Sequence, residues 1–237
     1  MRAIFLRDFR AYFTSPLGYV YISACLFVMN LVFLLHNVNA RSSDLSFTYW
    51  IMLVVLMFTT PLLTMRLFSE EYKQKTDQLL LTAPVKVFQI VMGKFWAALS
   101  VFGCVLGFTL VWPILIALHG TPNMAGVVGN IVALLFVASA FLSIGLFMSS
   151  LTENQLISAL STMGLLLALF LLDMYAVGLK TGWLYWVGQA VRQISLYQRF
   201  DIFTRGIFSL SDIVFYLSVC AFFLFLTARM LEKKRWA

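Results

Sequence analysis

The sequence predicts an all-α membrane protein. It has six transmembrane helices, an amphipathic N-terminal helix at the membrane surface, a short cytosolic helix between spans two and three, and a broken, re-entrant outer helical segment between spans five and six. Three observations carry this. Of 237 residues, 62% are hydrophobic and 11% charged, with a mean hydropathy of +0.91; a soluble domain of this size could not hide so much apolar surface. Apolar stretches of roughly twenty residues, each about one hydrocarbon thickness long, recur six times. Ionisable residues gather in the links between them. The chain, 1–237, is read as one transmembrane domain.

In residues 1–16, Ile4, Phe5, Phe9, Tyr12 and Phe13 recur at helical spacing, with Arg2, Arg7, Asp8 and Arg10 largely opposite. That pattern makes an interfacial helix. Arginines ahead of an apolar run also resemble a signal peptide, with Val38-Asn39-Ala40 as a cleavage site. The run 17–35 exceeds a signal core and is long enough to span, so it is read as span one. Span two covers 48–67, after a short polar link, 36–47. Span three covers 95–118, extended below by a cytosolic turn from Phe88 and kinked near its outer end by Pro113. Gly103 and Gly107 form a GxxxG spacing, read as helix packing.

His119 to Asn123 makes a tight outer turn. Spans four (127–148) and five (155–172) are joined by a connector with no basic residue. Ser139, Ser143 and Gly145 on one, and Ser158, Ser161, Thr162 and Gly164 on the other, form small-residue faces suited to helix contact. Residues 174–209 are too polar to span and too apolar to be free in water. Trp183, Tyr185 and Trp186 suit an interface, and Gly178, Gly182 and Gly188 interrupt the segment. It is read as two short helices dipping into the outer leaflet, where broken backbone is tolerated only against other spans. Span six, 213–230, ends in a basic tail.

The net charge of +7 reports topology rather than nucleic-acid binding, because the charges are spread over short loops. With the N-terminus inside, twelve Lys/Arg fall on the inner side and five on the outer. That asymmetry places both termini and the loop 66–94 in the cytoplasm.

The loop 66–94 is the most polar long run, with five Lys/Arg and three Asp/Glu. Thr76 to Thr82 reads as a short helix, capped by Thr76 with Asp77 at its positive end and stopped before Pro84. Two turns carrying an exposed Leu79-Leu80-Leu81 patch are too short to be stable alone. The patch either docks into a soluble partner's groove or lies in the headgroup layer, and both readings stand at this point.

Catalytic chemistry is missing from the sequence. There is no Walker A loop, so ATP hydrolysis by that route is excluded. Cys25, Cys104 and Cys220 fall mid-span as small apolar residues and suggest neither a disulfide framework nor a metal site. His36 and His119 lie at the outer ends of spans. Asp173 and Asp212 sit at the outer edges of spans five and six, where Arg192, Arg199 and Arg205 are candidate partners. With Asp201 and Arg205, they are candidates for an outer-leaflet gate or for structural pairing. The midplanes offer Asn30, hydroxyls and little else, which argues against an ion-coupled carrier.

Taken together, these features resemble the ABC-type-2 exporter permeases. That family commonly shows an acidic pair, then Gly-Thr, then Leu-Glu-Leu-Leu-Leu-Thr-x-Pro-Val, then Gly-Lys opening span three. Here the motif stands as Glu70-Glu71, Lys75-Thr76, Asp77-Gln78-Leu79-Leu80-Leu81-Thr82-Ala83-Pro84-Val85 and Gly93-Lys94. Lys75 departs from Gly, Asp77 from an apolar residue and Gln78 from Glu. The stretches 194–201 and 205–214 and the ending Leu231 to Trp236 are similar to gliding-motility-associated permeases.

The resemblance implies a half-transporter in the bacterial cytoplasmic (inner) membrane, paired with a second permease copy or homologue through spans one, two and five. Two separate ABC ATPase subunits, which hold the ATP and Mg, would dock on the coupling helix. The docking residues would be Glu70, Glu71, Thr76, Asp77, Leu79, Leu80, Leu81, Thr82 and Pro84. No cofactor is expected on this chain, no nucleic acid is a partner, and an extracytoplasmic accessory protein is an optional one. Two functions compete: the permease of an ATP-driven exporter, and a mechanical or assembly component acting through the outer segment. An ATP-independent channel or carrier is a third. The sequence does not reveal a substrate.

Overall fold

The computed structural model describes residues 1–76, 85–118, 120–178, 195–204 and 209–236. Their regular structure is all helical, and six helices are long and apolar enough to cross a membrane. Helix α1 (Arg2–Thr14) lies ahead of the first span. Ser15 is extended at φ −96°, ψ 155°, as expected before a proline, and Pro16 starts α2 (Pro16–Val32). The chain therefore turns sharply between them. A π-helical turn, Phe33–Val38, extends α2. Asn37 in that turn donates to the carbonyls of Ser42 and Asp44 and accepts from Thr48, closing the link to α3 (Ser46–Thr64).

A five-residue helix, α4 (Ser69–Lys73), follows α3. Helix α5 (Val87–Thr109) begins within one residue of the turn expected from Phe88 below span three. It breaks at Leu110, and α6 (Val111–Ala117) continues. The break follows from Pro113, whose ring conflicts with the carbonyl four residues earlier, at Thr109. Next come α7 (Met124–Leu151), α8 (Gln155–Gly178), α9 (Gln198–Thr204) and α10 (Leu210–Trp236). Residues 174–178, expected in the re-entrant segment, instead complete α8.

Helices α3 and α7 form the centre. About 61% of the α3 span and 67% of the α7 span is buried, against 17% for α8. Helix α7 is apolar on every side, the pattern of a core helix, and packs on α3, α5, α8, α9 and α10. Gly145 makes its contact with α3 possible, because a methyl group there would collide with the Thr64 side chain. The GxxxG pair behaves differently: a methyl on Gly103 or Gly107 meets nothing within 4 Å. Inside this chain the spacing packs no helix among the described residues. The midplane Asn30 accepts a hydrogen bond from the Trp112 indole at 2.9 Å. The three cysteines are unbridged.

Candidate functional site

Helix α3 ends in carbonyls that its own turn leaves unpaired, and side chains from three other elements take them up. The Tyr12 hydroxyl of α1 donates to the Leu63 carbonyl at 2.6 Å. Burial first, then the charge of Asp8, push the Tyr12 pKa well up, so the hydroxyl stays a donor. The Lys94 ammonium of α5 donates to the Leu67 carbonyl at 2.6 Å. Ser149, at the end of α7, meets the Met65 carbonyl at 3.4 Å. Its oxygen also accepts the amides of Phe68 and Ser69 at 3.1 and 3.3 Å. Helix α4 thus receives its N-terminal cap from a different helix, since Phe68 supplies no side-chain cap.

The other end of α4 closes locally. Thr76 N–H bonds to Glu71 O and Lys75 N–H to Tyr72 O, with Lys75 at φ 55°. This is the Schellman arrangement, whose left-handed position favours glycine. Lys75 occupies the place where the resembled motif carries glycine, so that departure is a strained one. Thr76, expected to cap a following helix, hydrogen-bonds back to α4 through its amide and, at 3.4 Å, its hydroxyl.

Around this platform four charges from three elements form one cluster. Lys94 is 2% exposed. Its ammonium lies 2.8 Å from Glu71 and 3.4 Å from Asp8. Its hydrogen bond goes to Leu67 O, and the two carboxylates balance its charge. Phe68 presents its ring face 5.0 Å away. Arg7 closes the square, 2.8 Å from Asp8 and 2.6 Å from Glu71. Burial pulls the Arg7 pKa down, but the hydrogen bond and charge of Asp8, and then Glu71, outweigh it and raise the net value. Arg66 and Glu70 make a separate pair beside it, bonded at 2.5 and 2.8 Å. Gly93 admits α1 to this site; a methyl there would press on Ile4 at 3.0 Å. A cleft of about 470 Å³ opens between α1 and α4. From α10, Lys234 reaches Ser150 O at 3.3 Å and lies over the Tyr72 ring at 3.5 Å. Both termini and the ends of the 77–84 loop therefore share one end of the bundle.

One sequence expectation is corrected here. Asp8 does not lie on the solvent-facing side of α1; with Ile4 and Tyr12 it forms the stripe packed on α5. A carboxylate can occupy that stripe because Lys94 neutralises it. Arg7, Asp8 and Lys94 join the site without being expected there from the sequence. A readable signal existed in the spacing of Ile4, Asp8 and Tyr12 and in a lone lysine facing an apolar span. Of the expected docking residues, Glu70, Glu71 and Thr76 come together at α4. Asp77, Leu79, Leu80, Leu81, Thr82 and Pro84 lie outside the described residues.

At the opposite end, Asp173 of α8 accepts from the Gln198 amide at 2.7 Å. Arg199 pairs with the buried Asp212 of α10 at 2.5 Å and stacks on Phe215, 4.2 Å from its centroid. Tyr197 and Tyr216 donate to the carbonyls of Leu166 and Leu196. These bonds pin α9, whose Phe200 and Phe203 are fully buried. Asp201 lies in α9 with its side chain outside the description, as is Arg205. Among the described residues, no group of three His, Cys, Asp or Glu side chains could hold a metal.

No protein-family model, curated protein or solved structure matches the chain.

Proposed function

We propose that this chain is the membrane-spanning permease subunit of an ATP-binding-cassette exporter, driven by separate ATPase subunits docked at the loop around 77–84 in the cytoplasm. One observation carries the reading. The motif positions on either side of that loop converge on a single platform: Glu71 and Lys94 as an ion pair, Lys75 as the left-handed residue that follows the C-cap of α4, and Gly93 as the contact with α1. A loop that only skims the headgroups does not require its flanks to be locked at both ends. A docking element that transmits force does.

The bonds that hold α9 to α8 and α10 favour the second reading, a mechanical or assembly role acting through the far end of the bundle. Purification of the tagged chain in mild detergent with mass spectrometry of its companions separates the two. A stoichiometric ATPase alone supports the exporter, and an added extracytoplasmic subunit supports the mechanical role. A chain that purifies alone overturns both. Leu80→Asp or Leu81→Asp is expected to leave the fold intact and cut the ATPase stimulation about tenfold or more, since an unpaired charge in an apolar groove costs a few kcal/mol. Undiminished ATPase activity in the assembled mutant would exclude the docking assignment.

A further inference from the structure

We propose that the cleft between α1 and α4 is a binding site for one membrane phospholipid, held by a zwitterionic headgroup of the phosphatidylethanolamine class, a phosphate joined to a primary ammonium. The inference is independent of the exporter reading and needs no partner subunit. The cleft lies at headgroup depth. Ser15 and Leu17, where α2 begins, line it together with Arg66 and Leu67, just past the end of α3. Both helices belong to candidate spans, so the level where one begins and the other ends is the border of the hydrocarbon. An aromatic ladder marks the same level. Phe5, Phe9 and Phe13 of α1 and Tyr19 of α2 have successive ring centroids 5.8, 5.0 and 5.8 Å apart. The cleft volume of about 470 Å³ suits a headgroup rather than a single ion.

The lining selects the headgroup. Six ionisable side chains take part, the cations Arg7, Arg66 and Lys94 and the anions Asp8, Glu70 and Glu71. They balance, so a ligand with net charge would leave that charge uncompensated, and a zwitterion does not. Arg7 uses Nε on Asp8 and Nη2 on Glu71, and Arg66 uses Nε and Nη2 on Glu70. Among the described residues, Nη1 of each guanidinium makes no hydrogen bond, which leaves two donors for phosphate oxygens. On the acidic side, Glu71 Oε2 is buried with no hydrogen-bond donor, and the Glu70 carboxylate beside it is partly exposed in the cleft. A primary ammonium brings three donors and a positive charge to these carboxylates; a quaternary ammonium has no N–H to give. The acyl chains have an apolar path to follow. Leu62 and Phe58 are exposed one and two turns before Arg66, on its side of α3.

The test is native mass spectrometry of the full chain, delipidated in mild detergent and titrated with phosphatidylethanolamine, phosphatidylcholine and phosphatidylglycerol of identical acyl chains. One phosphatidylethanolamine should bind about tenfold or more tighter than either of the others, the scale of one charge-assisted hydrogen bond. Ala11→Trp fills the cleft from an exposed position of α1 outside the charge cluster. Arg66→Gln removes a phosphate donor. Each variant should bring the three lipids to within about twofold of one another while the protein stays monodisperse. If Arg66→Gln aggregates, the parent and Ala11→Trp decide between them. Glycerophosphoethanolamine, which has the headgroup and no acyl chains, should displace the lipid only at concentrations about a hundredfold higher or more. Equal affinity for the three lipids, or a preference for phosphatidylglycerol, overturns the site. A preference for phosphatidylethanolamine that survives Ala11→Trp places the contact elsewhere on the chain and overturns it as well. Displacement by glycerophosphoethanolamine at the lipid's own concentration would overturn the lipid assignment in favour of a soluble phosphoamine.

Discussion

The two ends of the bundle solve the same problem differently. At each, a short helix with little stability of its own is held against long spans by buried ionic groups. The end carrying the termini uses a closed square of four charges drawn from α1, α4 and α5, with a fully buried lysine at its centre. The opposite end uses separate bonds, Asp173 with a neutral amide and Arg199 with Asp212, supplemented by tyrosine hydroxyls and an aromatic face. In the square, removing one member exposes the charges of the others. At the far end, each loss stays local. The lesson is that equal burial does not mean equal dependence: what matters is how many partners a deleted group leaves uncompensated.

Lys94→Met probes this most severely. It strands Asp8 and Glu71 with Arg7 alone and should destabilise by about 3–5 kcal/mol, the cost of breaking a buried pair from one side. A fall in the thermal midpoint and a loss of monodisperse protein in detergent would record it. Asp212→Asn keeps an acceptor for Arg199, which retains Phe215 beneath it. Its expected cost is smaller, about 1–3 kcal/mol. If the two variants unfold at the same temperature, the contrast between the ends is wrong. Ser149→Ala should follow at about 1–2 kcal/mol, because the Phe68 and Ser69 amides lose their shared acceptor. Faster protease cleavage near α4, with the rest of the bundle intact, would locate the effect. The smallest change should be a gain. Lys75→Gly relieves a left-handed residue that costs roughly 1–2 kcal/mol, offset by glycine's greater freedom when unfolded. A net rise of under about 1 kcal/mol is expected, and any loss would show that the Lys75 side chain makes a compensating contact.

Much of the fold was legible because bilayer thickness imposes a length on apolar stretches, and all six were readable from hydropathy. Pro113 announced the break in span three. Less was legible at the site. Asp8 read as solvent-facing because an isolated amphipathic helix puts its charges toward water. Its partner Lys94 is eighty-six residues away in the chain. GxxxG read as packing because the spacing permits close approach, yet the face it lies on meets no other helix of this chain among the described residues.

What the sequence determined by itself is class and register: a helical membrane protein and its spans. Those follow from solvent transfer and local backbone chemistry, which act residue by residue. The tertiary structure decided which buried charges face one another, which helix caps α4, and where a glycine lets two helices touch. Each of these depends on distances between segments remote in the chain, and no local preference encodes them.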